Sequence, residues 1–181
     1  MKILETIQKT FNVFKILTKV AYVFCIVGAV TSAVGALCAM TQYNGGMVFS
    51  LFGEPLKLFS EETDLTQKCA ELLTTTFILS ANAILLGLTH GYLKAELIDG
   101  TPFTEMGANR LKKLGILFII IPTIAITISG VFTISLGVES IGVVSNFSSV
   151  VTGIVLILFS LVFRYGAELE KNKKSGKEDI E

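Results

Sequence analysis

The stretch Val20–Met40, VAYVFCIVGAVTSAVGALCAM, decides the fold. It holds no charged residue, and as a helix it is long enough to cross a bilayer, which takes roughly 20 predominantly apolar residues. Three later blocks read the same way: Leu72–Leu93, interrupted only by Asn82 and by His90 near its end, then Leu114–Leu136 and Phe147–Phe163. Transmembrane strands would instead alternate over about ten residues. Lys2, Lys9, Lys15 and Lys19 ahead of the first block raise a cleaved signal peptide as a competing reading. The apolar stretch is too long for that, starts late and is followed by three more, so it reads as the first membrane helix.

Working outward, hydrophobic residues make up 51 % of the chain and charged residues 17 %, with a mean hydropathy of +0.69. Soluble domains average roughly 45–50 % and about 25 %, so the excess is small and its distribution matters more. Fifteen Lys and Arg cancel fifteen Asp and Glu, which implies no global attraction to nucleic acid and no direct nucleic-acid binding. Sorted by segment, thirteen of the basic residues lie in the N-terminal stretch, in the connection between spans two and three, and after span four. Only Lys57 and Lys68 lie in the other two connections. The Lys/Arg bias sets topology, and here it predicts a multi-pass plasma-membrane protein with both termini in the cytoplasm. The expected fold is an all-α integral membrane protein, an up-down bundle of four transmembrane helices. It forms one domain over residues 1–170, with an amphipathic N-terminal helix, a small outer β-hairpin-like loop and a charged cytoplasmic tail over 171–181.

Ile3, Leu4, Ile7, Phe11 and Phe14 recur at helical steps among Lys2, Glu5, Gln8, Lys9, Asn12 and Lys15, the pattern of a helix lying on anionic headgroups. A regulatory or partner-docking helix is the other reading of that segment. The long outer loop from Thr41 to about Glu71 has a turn signal at Asn44-Gly45-Gly46 and two β-prone runs around Phe52-Gly53-Glu54-Pro55, which predicts a hairpin. Its apolar residues either cap the bundle or form a partner patch. Ser60 to Asp64 reads as the start of the helix that becomes span two. The connection from Gly137 to Asn146 is short, with Glu139 its one ionisable group, so spans three and four should be antiparallel neighbours.

The inner connection, Gly91 to Gly115, is the most patterned. Asp99-Gly100 marks a turn, Thr101 is placed to cap a helix, and Pro102 suits the first helical position, which needs no backbone donor. The free amides of such a helix, beside Arg110 and Lys112, read either as an anion site or as a capped turn with snorkelling basic side chains.

Gly100-x-Pro102-Phe103-Thr104, followed by Asn109, Leu111 and Gly115, resembles the inner loop of a bacterial four-span membrane family described as domain of unknown function 2975. Phe163-Arg164-Tyr165-Gly166-Ala167-Glu168-Leu169 is similar to that family's closing motif. Relatives usually continue into an acidic segment, whereas this tail reads Glu170-Lys171-Asn172-Lys173-Lys174. The resemblance implies an integral membrane protein encoded beside a small helix-turn-helix regulator. By analogy it implies a membrane partner or sensor for a transcription factor, and it implies no activity.

Residues that could carry chemistry are few. His90 is the single histidine, and Cys25, Cys38 and Cys69 lack C-x-x-C spacing, so neither a metal site nor any cofactor is expected. Cys38 and Cys69 would pair only if their helices touch. The spans contain no carboxylate or basic group of the kind a coupled transporter buries. Asn82, near mid-span, forms either an interhelical hydrogen bond worth roughly 0.6–2 kcal/mol or part of a specific path. Pro122 should kink span three, with Thr123 or Ser129 satisfying the freed backbone. Small residues at Gly28, Ser32 and Ala36, at Ala29 and Ala33, at Gly35 and Ala39, and at Ser149 and Gly153 form stripes at steps of four. Their spacing serves packing within the chain or a homo-oligomer equally well.

Two function classes follow. The first is a non-enzymatic membrane component that binds a protein partner or senses the envelope, with Gly100, Pro102, Phe103, Asn109 and Arg110 as its inner binding surface. The second is a small channel or a lipid or small-molecule transporter, with Asn82 and the Thr and Ser residues of span three lining a path. A membrane enzyme has no recognisable nucleophile and base to support it.

Overall fold

In the computed structural model the described backbone covers residues 2–43, 50–51, 54–55, 64–99, 104–138 and 147–178. Four helices account for nearly all of it: α1 (Lys2–Tyr43), α2 (Leu65–Asp99), α3 (Glu105–Ser135) and α4 (Phe147–Glu178). All four are long and apolar enough to cross a membrane. Between α1 and α2, β1 (Ser50–Leu51) and β2 (Glu54–Pro55) pair antiparallel, Ser50 with Pro55 and Leu51 with Glu54. Two residues a side are too few to establish the expected hairpin-like loop. Apart from Leu51, the apolar residues assigned to that loop lie outside the described residues, as does the segment from Ser60 to Thr63.

The helices are longer than the apolar blocks that nucleate them. No Gly, Pro or cap interrupts the chain between Lys19 and Val20, and Thr18, 8 % exposed, returns its hydroxyl to the Phe14 carbonyl at 2.7 Å rather than capping a new helix. The expected N-terminal helix is therefore the first part of α1, not a separate element. Asp64 caps α2: its Oδ1 accepts from the Thr66 and Gln67 amides at 3.0 and 3.3 Å, satisfying donors a helix start leaves free. At the other end α2 runs through Gly91, since an isolated glycine costs only about 1 kcal/mol against alanine, and it stops at Asp99. α4 continues to Glu178, into the segment expected as a tail. Ala167–Lys174 is rich in strong helix formers, and Arg164 and Glu168 form an i,i+4 ion pair at 3.7 Å.

α3 begins three residues later than its sequence implies. Thr104, not Thr101, is the cap: its Oγ1 accepts from the Gly107 amide at 2.9 Å, and its carbonyl accepts the first helical bond from Ala108 at 2.9 Å. A hydroxyl satisfies the same orphan amides from either position, so residue type alone does not choose between them. α3 ends in a Schellman turn. The Gly137 amide donates to Ile134 at 3.0 Å and the Val138 amide to Thr133 at 3.2 Å, with Gly137 at φ 70°. Only glycine adopts that conformation without a Cβ clash. Gly137→Ala should therefore cost about 1–2 kcal/mol, whereas Gly130→Ala, with open space around its Cβ position, should gain up to about 1 kcal/mol. Thermal unfolding of the two variants in detergent micelles checks this, and equal effects would refute it. Pro122 is buried within α3. The Ser129 hydroxyl donates to Ile126 at 3.0 Å, so it does not serve the carbonyl of Phe118, whose partner proline removes.

By internal contacts the chain forms two compact units. Unit 1 takes Met1–Tyr22 of α1, Ile84–Ile121 of α2 and α3, and Ser145–Glu181 with all of α4; unit 2 takes Val23–Ala83 and Pro122–Val144. In unit 2 the small-residue stripes of α1 face α2. A Cβ on Gly28 would lie 2.9 Å from Leu79 Cδ1, one on Gly35 would lie 3.3 Å from Leu72, and Ala36 and Ala39 are buried. Cys69 Sγ sits 3.9 Å from the Ala36 carbonyl, and all three cysteines are free thiols. Phe77 and Phe132 stack at 5.6 Å between ring centroids.

Small side chains dominate the described buried positions: Ala36, Ala39, Ala70, Ala81, Ala83, Ala108 and Ala125 are buried, with Ser129, Thr133 and Ser160, beside the four leucines Leu85, Leu93, Leu111 and Leu114. Most large apolar side chains point outward, Phe24 at 73 % and Ile134 at 74 % exposure among them. This inverts the soluble arrangement.

Candidate functional site

The end of α2 and the start of α3 bring together the groups with chemical potential, all within unit 1. A stripe along α2, Ala81, Leu85, Thr89, Leu93 and Glu96, follows the helical steps of three and four. Its last member is a carboxylate only 4 % exposed. The Glu96 oxygens lie 2.7 and 3.0 Å from where a Cβ on Gly107 would stand, and the Thr104 hydroxyl lies 2.9 Å from the same point. Glycine at 107 is what lets the carboxylate reach the first turn of α3. There the amide dipoles favour negative charge, which offsets part of the cost of burying it.

One turn back on α2, Tyr92 feels both the Glu96 carboxylate and the Arg110 guanidinium. Its hydroxyl is buried and makes no hydrogen bond among the described residues. Arg110 is half-buried and donates from Nη2 to Met106 Sδ at 3.0 Å. His90 Nδ1 lies 3.3 Å from the Lys15 carbonyl, so the single histidine links α2 to α1. Within the same unit, Gly115 of α3 and Gly153 of α4 meet backbone to backbone.

Of the residues singled out from sequence, Arg110 belongs to this cluster and Asn109 is exposed on the same helix. Gly100, Pro102 and Phe103 lie outside the described residues. Asn82 is half-buried in α2 but belongs to unit 2, so it is not gathered with the others. Sequence reading missed Tyr92, Glu96 and Gly107, because Gly91 was taken as the start of a connection. The signal was present: continuing the α2 stripe past Gly91 at steps of four and three lands on Leu93 and Glu96. Among the described residues no three His, Cys, Asp or Glu side chains converge on a metal-sized space. Glu96, held against the Thr104-capped first turn of α3, ties the end of α2 to the start of α3. Comparison with family models, with curated proteins and with solved structures finds no match.

Proposed function

We infer that the chain is a multi-pass protein of the plasma membrane with cytoplasmic termini, and that it acts as a non-enzymatic component docking a soluble protein at the α2–α3 connection. The membrane reading draws support from the inverted core. Small residues allow close helix approach where lipid supplies the apolar surroundings, and exposed Val, Ile, Leu and Phe on every helix need such surroundings. The Lys and Arg distribution supports the orientation.

One observation carries the docking reading: Ile98 is 75 % and Met106 62 % exposed. They flank the connection at the very ends of α2 and α3, among Lys94, Glu105, Asn109, Lys112 and Lys113, which belong at the aqueous boundary. Apolar side chains held out among charges favour a protein partner, and thioethers adapt well to such surfaces. The resemblance to the family of unknown function points to a helix-turn-helix regulator as that partner.

Photo-crosslinking in living cells, with a benzophenone amino acid at position 98 or 106 and a control at Leu37, tests the reading. A discrete adduct with a soluble regulator at 98 and 106, absent at 37 and reduced at least tenfold by a charge at the neighbouring anchor, is expected. Adducts with lipid alone, or with a second copy of the chain alone, would refute it.

A further inference from the structure

The outer side of α4 carries an ordered seam. Val155, Leu158, Val162, Tyr165, Leu169 and Asn172 recur at alternating steps of three and four, and all are exposed. The opposite side of the helix faces the bundle: Gly153 and Ser160 are buried, and Gly153 packs on α3. A repeat of 3.5 residues keeps one stripe of a helix against a partner helix along its length, and a lipid-facing surface needs no such regularity.

In heptad terms Val155, Val162 and Leu169 take the a positions, and Leu158, Tyr165 and Asn172 the d positions. β-branched residues at a with Leu at d favour two parallel strands. The Asn172 amide both donates and accepts, so it can bond its own counterpart across a two-fold axis. Charge is complementary in the same register. Glu168 falls at g and Lys173, five residues on, falls at e, the positions that face one another between parallel copies. The axis makes that pair twice. Glu168 lies 3.7 Å from Arg164 on its own helix, yet its side chain is 54 % exposed and accessible from outside.

Within a bilayer, hydrocarbon covers Val155, Leu158 and Val162 as well as another helix would. Past Arg164 the seam continues among charges, with Tyr165 64 % and Leu169 52 % exposed, where hydrocarbon no longer covers it. Copies of one multi-pass chain share one orientation, which makes their α4 helices parallel and raises their effective concentration. This step rests on the membrane reading above and not on the docking one.

We propose that the end of α4 beyond Arg164 pairs with the same segment of a second copy as a parallel two-stranded coiled coil. Tyr165, Leu169 and Asn172 form its seam, and Glu168 of each copy meets Lys173 of the other.

The full chain with Cys25, Cys38 and Cys69 replaced by alanine receives single cysteines, and its membranes are washed in carbonate before treatment with a short bismaleimide. Covalent dimer should form at Tyr165→Cys and Leu169→Cys. It should be at least tenfold weaker at Arg164→Cys and Lys171→Cys, which are exposed but off the seam. In the chain with its own cysteines, copies fused to donor and acceptor fluorescent proteins report association in liposomes by energy transfer. Glu168→Lys or Lys173→Glu should weaken association about tenfold, the scale of losing two exposed pairs and gaining like charges. The double exchange Glu168→Lys/Lys173→Glu should restore it to within about twofold. Equal dimer at 164 and 171, or no dimer at 165 and 169 in chain retained by the wash, would overturn the proposal. So would association indifferent to the single charge variants or not restored by the exchange, or an adduct with a different protein in place of the dimer. Loss of the chain to the carbonate wash overturns the membrane reading instead, and the parallel order with it.

Discussion

Replacing Gly115 or Gly153 by alanine is expected to lower stability by about 1–3 kcal/mol each, the cost of overpacking a well-filled contact. A Cβ on Gly115 would stand 2.8 Å from the Gly153 carbonyl oxygen and 3.1 Å from the Ile157 amide nitrogen; one on Gly153 would stand 2.7 Å from the Gly115 carbonyl oxygen and 2.6 Å from Ile119 Cγ1. Backbone atoms cannot rotate away as a side-chain tip does, so α3 and α4 must separate and lose the contacts around the crossing. Gly28 is the internal contrast, because its Cβ would meet only the flexible end of Leu79, at 2.9 Å. Gly28→Ala should cost less than about 1 kcal/mol. The double variant of Gly115 and Gly153 should cost less than the sum of the singles, since one separation relieves both clashes. Reversible unfolding in mixed micelles measures all four. Wild-type stability of both single variants would show that the crossing is not close-packed.

Removing the Glu96 side chain should be comparably severe. Glu96→Ala is expected to cost about 2–4 kcal/mol, the range for emptying a large buried position, and to loosen the start of α3. Glu96→Gln keeps the volume and discards the charge, so it isolates the interaction of the carboxylate with the helix end, about 1 kcal/mol. Gly107→Ala attacks the same contact from the other side. Its Cβ would press on both carboxylate oxygens and on the Thr104 cap, costing about 1–3 kcal/mol. Hydrogen exchange across residues 104–111 should report the loss as faster exchange of the first turns of α3. If Glu96→Ala leaves both stability and exchange unchanged, the Glu96 contact does not hold the helix ends.

The four apolar helices were legible because their blocks are long and almost free of charge, and α3 ends where the connection was read to begin, at Gly137, which closes a Schellman turn. The cap of α3 was misplaced, since Thr101 and Thr104 are chemically equivalent and only the path of the chain selects between them. The extents of α1, α2 and α4 were underestimated for a related reason. A helix stops where its backbone loses partners, not where hydrophobicity fades, and neither Lys19, Gly91 nor Phe163 withdraws a hydrogen bond. The site was legible in part: Arg110 stood out by charge, but Glu96 was counted with a connection because its burial depends on α2 continuing past Gly91.

By itself the sequence determined that the chain makes four apolar helices, because hydrophobic length and the sorting of charge are local properties of a linear chain. The tertiary structure alone decided how the small-residue stripes are used: Gly28, Gly35, Ala36 and Ala39 face α2, and Gly115 faces Gly153. It alone put a carboxylate under the first turn of α3. Both depend on which surfaces meet across long separations in sequence, and a spacing of three or four residues is the same whether a stripe faces a neighbouring helix, a second chain or lipid.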